Sequence, residues 1–301
     1  MTEIDFLRDN VNGDDIKTFC DKIELSREAY EAAEPLCRRI IGEKRDYFEN
    51  EIVADIKDAN KIHALAKSMG VDRDLCMLSC AILLGMNAHK LYKEKGIPED
   101  IYYPSMREIT IWERTCEREK QKIGYYEYSW LRHFLTADIV RLHRLEFHIV
   151  SFNRKLRYKK HGVSVKGGDE VINIHIPEDG PLYYSDVIES YRRAYRYFNR
   201  SGKAVFVCDS WLLYPGNYDF LPPTSRIREF MDDFDIISRN DVKNDGNLWR
   251  IFGRRDSYDP ENLPRNTDLQ RRMADYLAAN DNVTGSGYGV FVFDGEKVVK
   301  E

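Results

Sequence analysis

Residues 171–182 read VINIHIPEDGPL. Ile172, Ile174 and Ile176 alternate with Val171, Asn173 and His175. A period of two places the isoleucines on one face of a β-strand and the asparagine and histidine on the other. The run stops at Pro177, and the PEDGP of residues 177–181 is turn chemistry. A helical pattern follows over residues 185–199, with Ser185 as its predicted cap. Strand, tight turn and helix in that order make one unit of an α/β layer rather than of a sandwich.

The same reading extends outward. Upstream, Leu145, Phe147 and Ile149 alternate with Arg144, Glu146 and His148, a second strand. Residues 158–166 are expected to pair back as one further strand. Downstream, residues 204–208 form a short apolar run of buried-strand type, residues 225–234 look helical and residues 235–239 extended. Residues 247–252 are a strand candidate, residues 267–279 a helix and residues 288–293 a last strand. Gly285 and Gly287 precede it and Gly289 lies at its start; with no helix following, they suit a close backbone approach better than a phosphate loop.

Before about residue 142 the pattern is helical. Ser26 is a plausible cap for a helix beginning REAYEAA. Residues 58–68 carry Ile62, Leu65 and Ala66 at helical spacing and stop at Gly70. Residues 72–95 form the most apolar helix, ended by the Gly96-Ile97-Pro98 break, and residues 105–124 are predicted as one more. The expected organisation is therefore α+β: a helical domain over residues 1–130, then a mixed α/β domain over residues 131–301.

At 43% hydrophobic and 32% charged, the 301-residue chain has the material for packed cores. Its 46 basic against 51 acidic residues give a net charge of -5, which argues against a nucleic-acid binder. The opening MTEIDFLRDNVNGDD lacks the basic start and apolar core of a secretory signal. The longest apolar stretch, CAILLGM at residues 80–86, falls short of the ~20 residues that cross a bilayer. A cytoplasmic protein without a membrane span is expected. Cys20, Cys37, Cys76, Cys80, Cys116 and Cys208 are irregularly spaced and read as reduced, buried thiols; Cys76 and Cys80 lie one turn apart, but no second pair completes a metal set.

Five segments carry a resemblance: LHRLEF at 142–147, IHIPEDGPL at 174–182, VCDSWLLYP at 207–215, LPRNTDLQ at 263–270 and GSGYG at 285–289. In this order and spacing they resemble a bacterial family of acyltransferase domain-containing proteins, which join a helical N-acyltransferase N-terminal domain to a GNAT-like C-terminal domain. The resemblance implies transfer of an acyl group from acetyl-CoA or another acyl-CoA to the amine of a small molecule. It also implies that the turn after the third strand, with Ile176, Gly180, Leu182 and Ser185, holds the cofactor at a helix N-terminus. GNAT enzymes commonly carry Gln/Arg-x-x-Gly-x-Gly/Ala there. This chain has Gly180 alone, flanked by Pro181, which lacks an amide donor, and by Glu178 and Asp179. Two bare carboxylates would repel a pyrophosphate, so neutralising both should tighten CoA binding. The alternative implied by that departure is a catalytically degenerate GNAT-like protein that binds a ligand or partner.

His175 suits removal of an amine proton; the plain alternative is a hydrogen-bonded histidine in packing. Glu146 could act as a base or anchor the acceptor amine, or form an ion pair with Arg144. Tyr214 could protonate a leaving thiolate. Asn173, Asp209, Ser210 and Trp211 are candidate substrate contacts, because ligands bind beyond the C-terminal ends of strands in α/β sheets. Ser210 lacks a Gly-x-Ser-x-Gly elbow, and no histidine follows His175, so a hydrolase order is excluded. Arg192, Arg193, Arg196 and Arg200 could meet phosphates, or form a solvated helix face.

Overall fold

The computed structural model describes residues 13–300, so the expectation drawn from the first twelve residues lies outside the described part. Contacts divide the chain into two units: Met1–Leu142 with Pro177–Asp179, and His143–Ile176 with Gly180–Glu301.

The first unit holds α1 (Gly13–Lys22), α2 (Arg27–Glu43), α3 (Arg45–Tyr47), α4 (Ala59–Met69), α5 (Arg73–Glu94), α6 (Glu99–Met106), α7 (Glu108–Lys120) and α8 (Tyr128–Leu135), then the short strand β1 (Val140–Leu142). Three boundaries follow the sequence signals. The Ser26 hydroxyl accepts from Ala29 N, and Asp58 accepts from Asn60 N. Gly70 closes α4 in the left-handed conformation at φ 64°. Helix α5 is long and apolar enough to cross a membrane by composition, yet it lies at the centre of this unit, packed against α1, α2, α4, α6, α7 and α8. Its Gly85 has no room for a side chain, because Phe19 and Ile109 fill the space a Cβ would take. All six cysteines are buried free thiols.

The helix expected over residues 105–124 is two. Pro104 sits inside α6 and cannot donate, the chain turns at Arg107, and α7 ends at Gln121, whose φ is 54°.

The second unit holds β2 (Leu145–Ser151), β3 (Arg157–Lys160), β4 (Val163–Lys166), β5 (Glu170–His175), α9 (Tyr184–Tyr197), β6 (Ala204–Ser210), α10 (Asn217–Phe220), α11 (Arg226–Met231), β7 (Asp235–Lys243), α12 (Trp249–Phe252), α13 (Asp268–Ala279) and β8 (Val283–Phe293). Its main sheet runs β2-β5-β6-β8-β7. The β5–β6 pair is parallel, and the other neighbours in that order are antiparallel.

Register fixes two faces. Phe147 pairs with Ile174, Ile172 with Phe206, and Phe206 with Phe291. This aromatic face is covered by α9, whose Tyr191 ring lies 4.6 Å from that of Phe291. The opposite face carries Val171, Val207, Val290 and Val292, covered by Tyr158 and Val165. Those two residues belong to the separate β3–β4 hairpin, where one strand was expected over residues 158–166. The reason is local: His161 and Gly162 both take positive φ, at 52° and 75°, the geometry of a tight two-residue hairpin turn.

The strand expected at residues 247–252 is a helical turn ending in α12. Asp245 accepts from Asn247 N at 2.8 Å and starts it, and Leu248 and Phe252, four residues apart, face the same cluster as Met273 and Leu277.

The glycines of β8 meet the expectation of close approach. A Cβ on Gly287 would lie 2.0 Å from the carbonyl oxygen of Leu213, and one on Gly289 would strike Leu213 and Phe234. Gly287→Ala is expected to destabilise the protein by about 1–3 kcal/mol, the cost of overpacking against backbone. An unchanged urea midpoint for this variant would contradict the packing described.

Candidate active site

Strands β5 and β6 pair only at Ile172↔Phe206 and Asn173↔Val207. Both run on, β5 to His175 and β6 to Ser210. No bridge pair is assigned between them past those two positions, so the C-terminal ends of two adjacent parallel strands run on beyond their ladder, at the place where α/β sheets take ligands.

The valine face becomes polar at this end. Glu146 stands directly opposite His175, and His148 opposite Asn173. The Nε2 atoms of His148 and His175 are 3.2 Å apart, and the Asn173 amide lies 3.1 Å from the first and 3.0 Å from the second. The two histidines and Asn173 are half-buried, whereas Glu146 is only 1% exposed. Asp209 projects from the same face two residues beyond Val207 and is exposed. Tyr288 is its partner on β8; burial pushes that phenol up to about 12. His175, Glu146, Asn173 and Asp209 thus share one face, as their strand alternation requires. The residue missed is His148. Its alternation with Glu146 put it on the correct face, but only the pairing register shows that it meets His175.

Tyr214 and Ser210 belong elsewhere. Ser210 pairs with Gly287 on the aromatic face, and its hydroxyl accepts from Leu212 N. Tyr214 follows the turn whose Leu213 lies over Gly287, and its hydroxyl donates to Asp241 at 2.9 Å. Burial, then the Asp241 bond, raises the Tyr214 phenol well above its ordinary value. It holds its proton tightly and does not join His175. Trp211 is half-buried at the start of that turn, its carbonyl accepting from Asn217 Nδ2 at 2.9 Å.

Four residues were expected to hold a cofactor. Ile176 is half-buried just past β5 and Leu182 is buried. Ser185 is not the cap of α9: that position falls to Tyr183, which makes no side-chain cap, and Ser185 is an exposed residue of the first turn. The N–H groups of a helix start are therefore left without side-chain acceptance. Gly180, at φ 149°, turns its carbonyl to the buried Arg144, which donates to Gly180 O at 2.5 Å and to Pro181 O at 3.1 Å. Arg144 thereby shapes the loop that enters α9.

Glu178 and Asp179 are not bare carboxylates. Within the first unit Arg141 binds Asp179 at 2.5 Å with both side chains almost fully buried, and Arg107 approaches at 3.8 Å. Arg118 binds Glu178 at 3.0 Å on the surface. The repulsion expected from the sequence is already offset. The arginines of α9 are engaged too: Arg193 and Arg196 pair with Glu189 and Arg192 donates to Glu296 O, while Arg200, just past the helix, pairs with Glu170.

Residues 139–291 match the family of GNAT-like C-terminal domains, and residues 14–137 match the N-acyltransferase N-terminal domain. No curated protein matches the chain. Among solved structures, an acyltransferase in complex with decanoyl-CoA and teicoplanin superimposes with a TM-score of 0.67 at 18% identity, over 95% of this chain and 92% of that one. An acyltransferase mutant in complex with octanoyl-CoA gives 0.66 at 17%, over 93% and 88%. At such identity the likeness shows the fold. The family matches carry more: this chain belongs to the acyltransferase family that joins an N-acyltransferase N-terminal domain to a GNAT-like C-terminal domain.

Proposed function

We propose that the protein moves an acyl group from an acyl-CoA thioester to the amine of a small molecule. The observation that carries this reading is the cluster of His175, His148 and Glu146 on one sheet face, beside the end of the short parallel β5–β6 ladder. Past Asn173 and Val207 the ladder assigns no further β5–β6 pair, the setting in which backbone groups can take up a ligand instead. The amide-bearing arm of CoA is such a ligand, and the uncapped first turn of α9 suits its pyrophosphate.

In the reaction the amine nitrogen bonds to the thioester carbonyl carbon. An amine proton passes to a ring nitrogen of His175, backbone N–H groups hold the oxyanion, and the C–S bond then breaks to release the thiolate, which takes up a proton from the imidazolium or through solvent and leaves as the thiol. The buried carboxyl of Glu146, beside His175, attracts the positive charge that grows on the imidazole.

The similar solved proteins were seen with decanoyl- and octanoyl-CoA, which supports a medium acyl chain as donor here. Calorimetric titration with CoA, acetyl-CoA, octanoyl-CoA and decanoyl-CoA tests this. Each methylene buried adds about 0.8 kcal/mol, so affinity is expected to climb steeply from acetyl to octanoyl. Equal affinity for all four would reject the medium chain. Absence of binding at millimolar ligand would reject acyl transfer and favour the ligand- or partner-binding alternative.

A further inference from the structure

A cavity of about 250 Å3 lies at an edge of the main sheet in the second unit. Strand β6 occupies one edge of β8 as far as Phe293. On the other edge β7 begins opposite Val290, and Val298 and Val299 pair with Phe293 and Val292. Phe291 stands between these two partners and lines the cavity with Phe234 and Val299. Asp233 and Asp235 line it from the start of β7, and Lys160 and His161 from the tip of the β3–β4 hairpin. Register puts Phe291 level with Phe206 and Ile172, two strands across and three residues back from His175. At ~4.8 Å per strand and ~3.3 Å per residue the separation is about 14 Å.

We infer that this cavity is a second binding site, for a small primary amine in its ammonium form, held by Asp233 and His161. The inference stands apart from the acyl-transfer reading.

Charge decides the ligand class. Asp233 is 4% exposed and accepts from Tyr184 Oη at 2.9 Å and Tyr191 Oη at 3.3 Å. Phenols donate hydrogen but bring no charge. Among the described residues no cation lies within ion-pair distance of Asp233, although a buried carboxylate needs one. Burial accordingly pushes its carboxyl up to about 6, against the bond from Tyr184, the charge of Lys300 and the bond from Tyr191. Asp235 differs: Lys160 Nζ reaches it at 2.6 Å, Tyr158 Oη at 2.7 Å and His161 Nε2 at 2.9 Å.

The second observation is His161. An ionised carboxylate only accepts, so the Nε2 facing Asp235 carries the hydrogen and the neutral ring offers a lone pair at Nδ1. That Nδ1 is buried and has no hydrogen-bond partner among the described residues. An ammonium group carries three donors and one positive charge, which suits a carboxylate and an imidazole lone pair together. Phe234, Phe291 and Val299 suit a short alkyl body, and ~30 Å3 per water-sized group leaves room for about eight heavy atoms. An anion would meet Asp232, Asp233 and Asp235 against Lys160, already bound to Asp235, and Lys300.

The test uses the whole chain and n-butylamine at about pH 7.5, where a primary amine is protonated. Backbone amide resonances of Phe234, Asp235 and Phe291 should shift saturably, and butan-1-ol and butyrate at equal ionic strength should bind at least about fivefold more weakly. Asp233→Asn, which still accepts from the two tyrosines, should weaken the amine about tenfold or more. Lys300→Ala, at an exposed residue, should tighten it about twofold by removing a competing charge. Equal binding of the alcohol, tighter binding of butyrate, or no saturable shift with the amine would overturn the site. Shifts confined to the surroundings of His175 and Asp209 would place the amine at the acyl-transfer cluster and overturn a second site. If Asp233→Asn does not fold, Lys300→Ala decides, since weaker amine binding there would contradict a site that takes cations.

Discussion

His175→Ala is expected to lower turnover by about 10²- to 10⁴-fold, the contribution of a positioned general base. Turnover is read as thiol release from an acyl-CoA in the presence of an amine acceptor found by screening. Stability should change little. The side chain is half-buried, and its hydrogen bonds to Asn173 and His148 contribute about 0.5–1.5 kcal/mol each. KM for the acyl-CoA should also hold, because the base acts on the amine. Retained turnover would remove His175 from the mechanism. Lost turnover with a matching loss of melting temperature would assign it to packing instead.

The largest effect on stability is expected from Asp179→Ala, in the turn that sequence reasoning associated with phosphate repulsion. Arg141 and Asp179 bond at 2.5 Å with 6% and 3% of their side chains exposed. Removing one partner of a buried pair leaves the other charge uncompensated and costs about 3–5 kcal/mol. That is a large part of the 5–15 kcal/mol typical of a domain. Glu178→Ala breaks a bond to Arg118 between side chains 40% and 53% exposed and should cost under about 1 kcal/mol. Urea unfolding of both variants decides. Equal, small losses would mean that the buried pair does not anchor the turn. The expectation that neutralising both carboxylates tightens CoA binding is withdrawn on the same grounds, since the change would release arginines that now hold the loop.

The strands whose side chains alternate were legible. The isoleucines of β5 and the Leu145, Phe147, Ile149 series of β2 each marked a face, and those faces are the observed ones. Helix starts with a capping side chain were also legible: Thr267 forms a capping box with Gln270 at the start of α13. Two kinds of information were not. The turn at His161 and Gly162 carries only half of the usual signature, the glycine, because the residue before it takes positive φ without being glycine, asparagine or aspartate, so the pattern over residues 158–166 resembles one strand where a hairpin exists. At residues 247–252 the segment is too short for its apolar residues to mark a period, and the helical turn shows only in the packing of Leu248 and Phe252 on one cluster.

At the site, alternation alone would have separated Ser210 from Asp209, since neighbours on a strand face opposite ways. The meeting of His148 with His175 depends on which residue of β2 stands beside which residue of β5. That register is set by the whole sheet and not by either strand.

The central position of α5 has a consequence for how the chain is made. Helices α2 and α4 precede it and are ready to cover one side as it leaves the ribosome, but α7 and α8 follow it. Until residue 135 has emerged, part of a 22-residue apolar helix stays open to water. Such surface is what chaperones bind and what drives aggregation of nascent chains. Truncations that end between α5 and α8 should therefore be recovered as insoluble protein, whereas chains ending just after α8 should remain in solution.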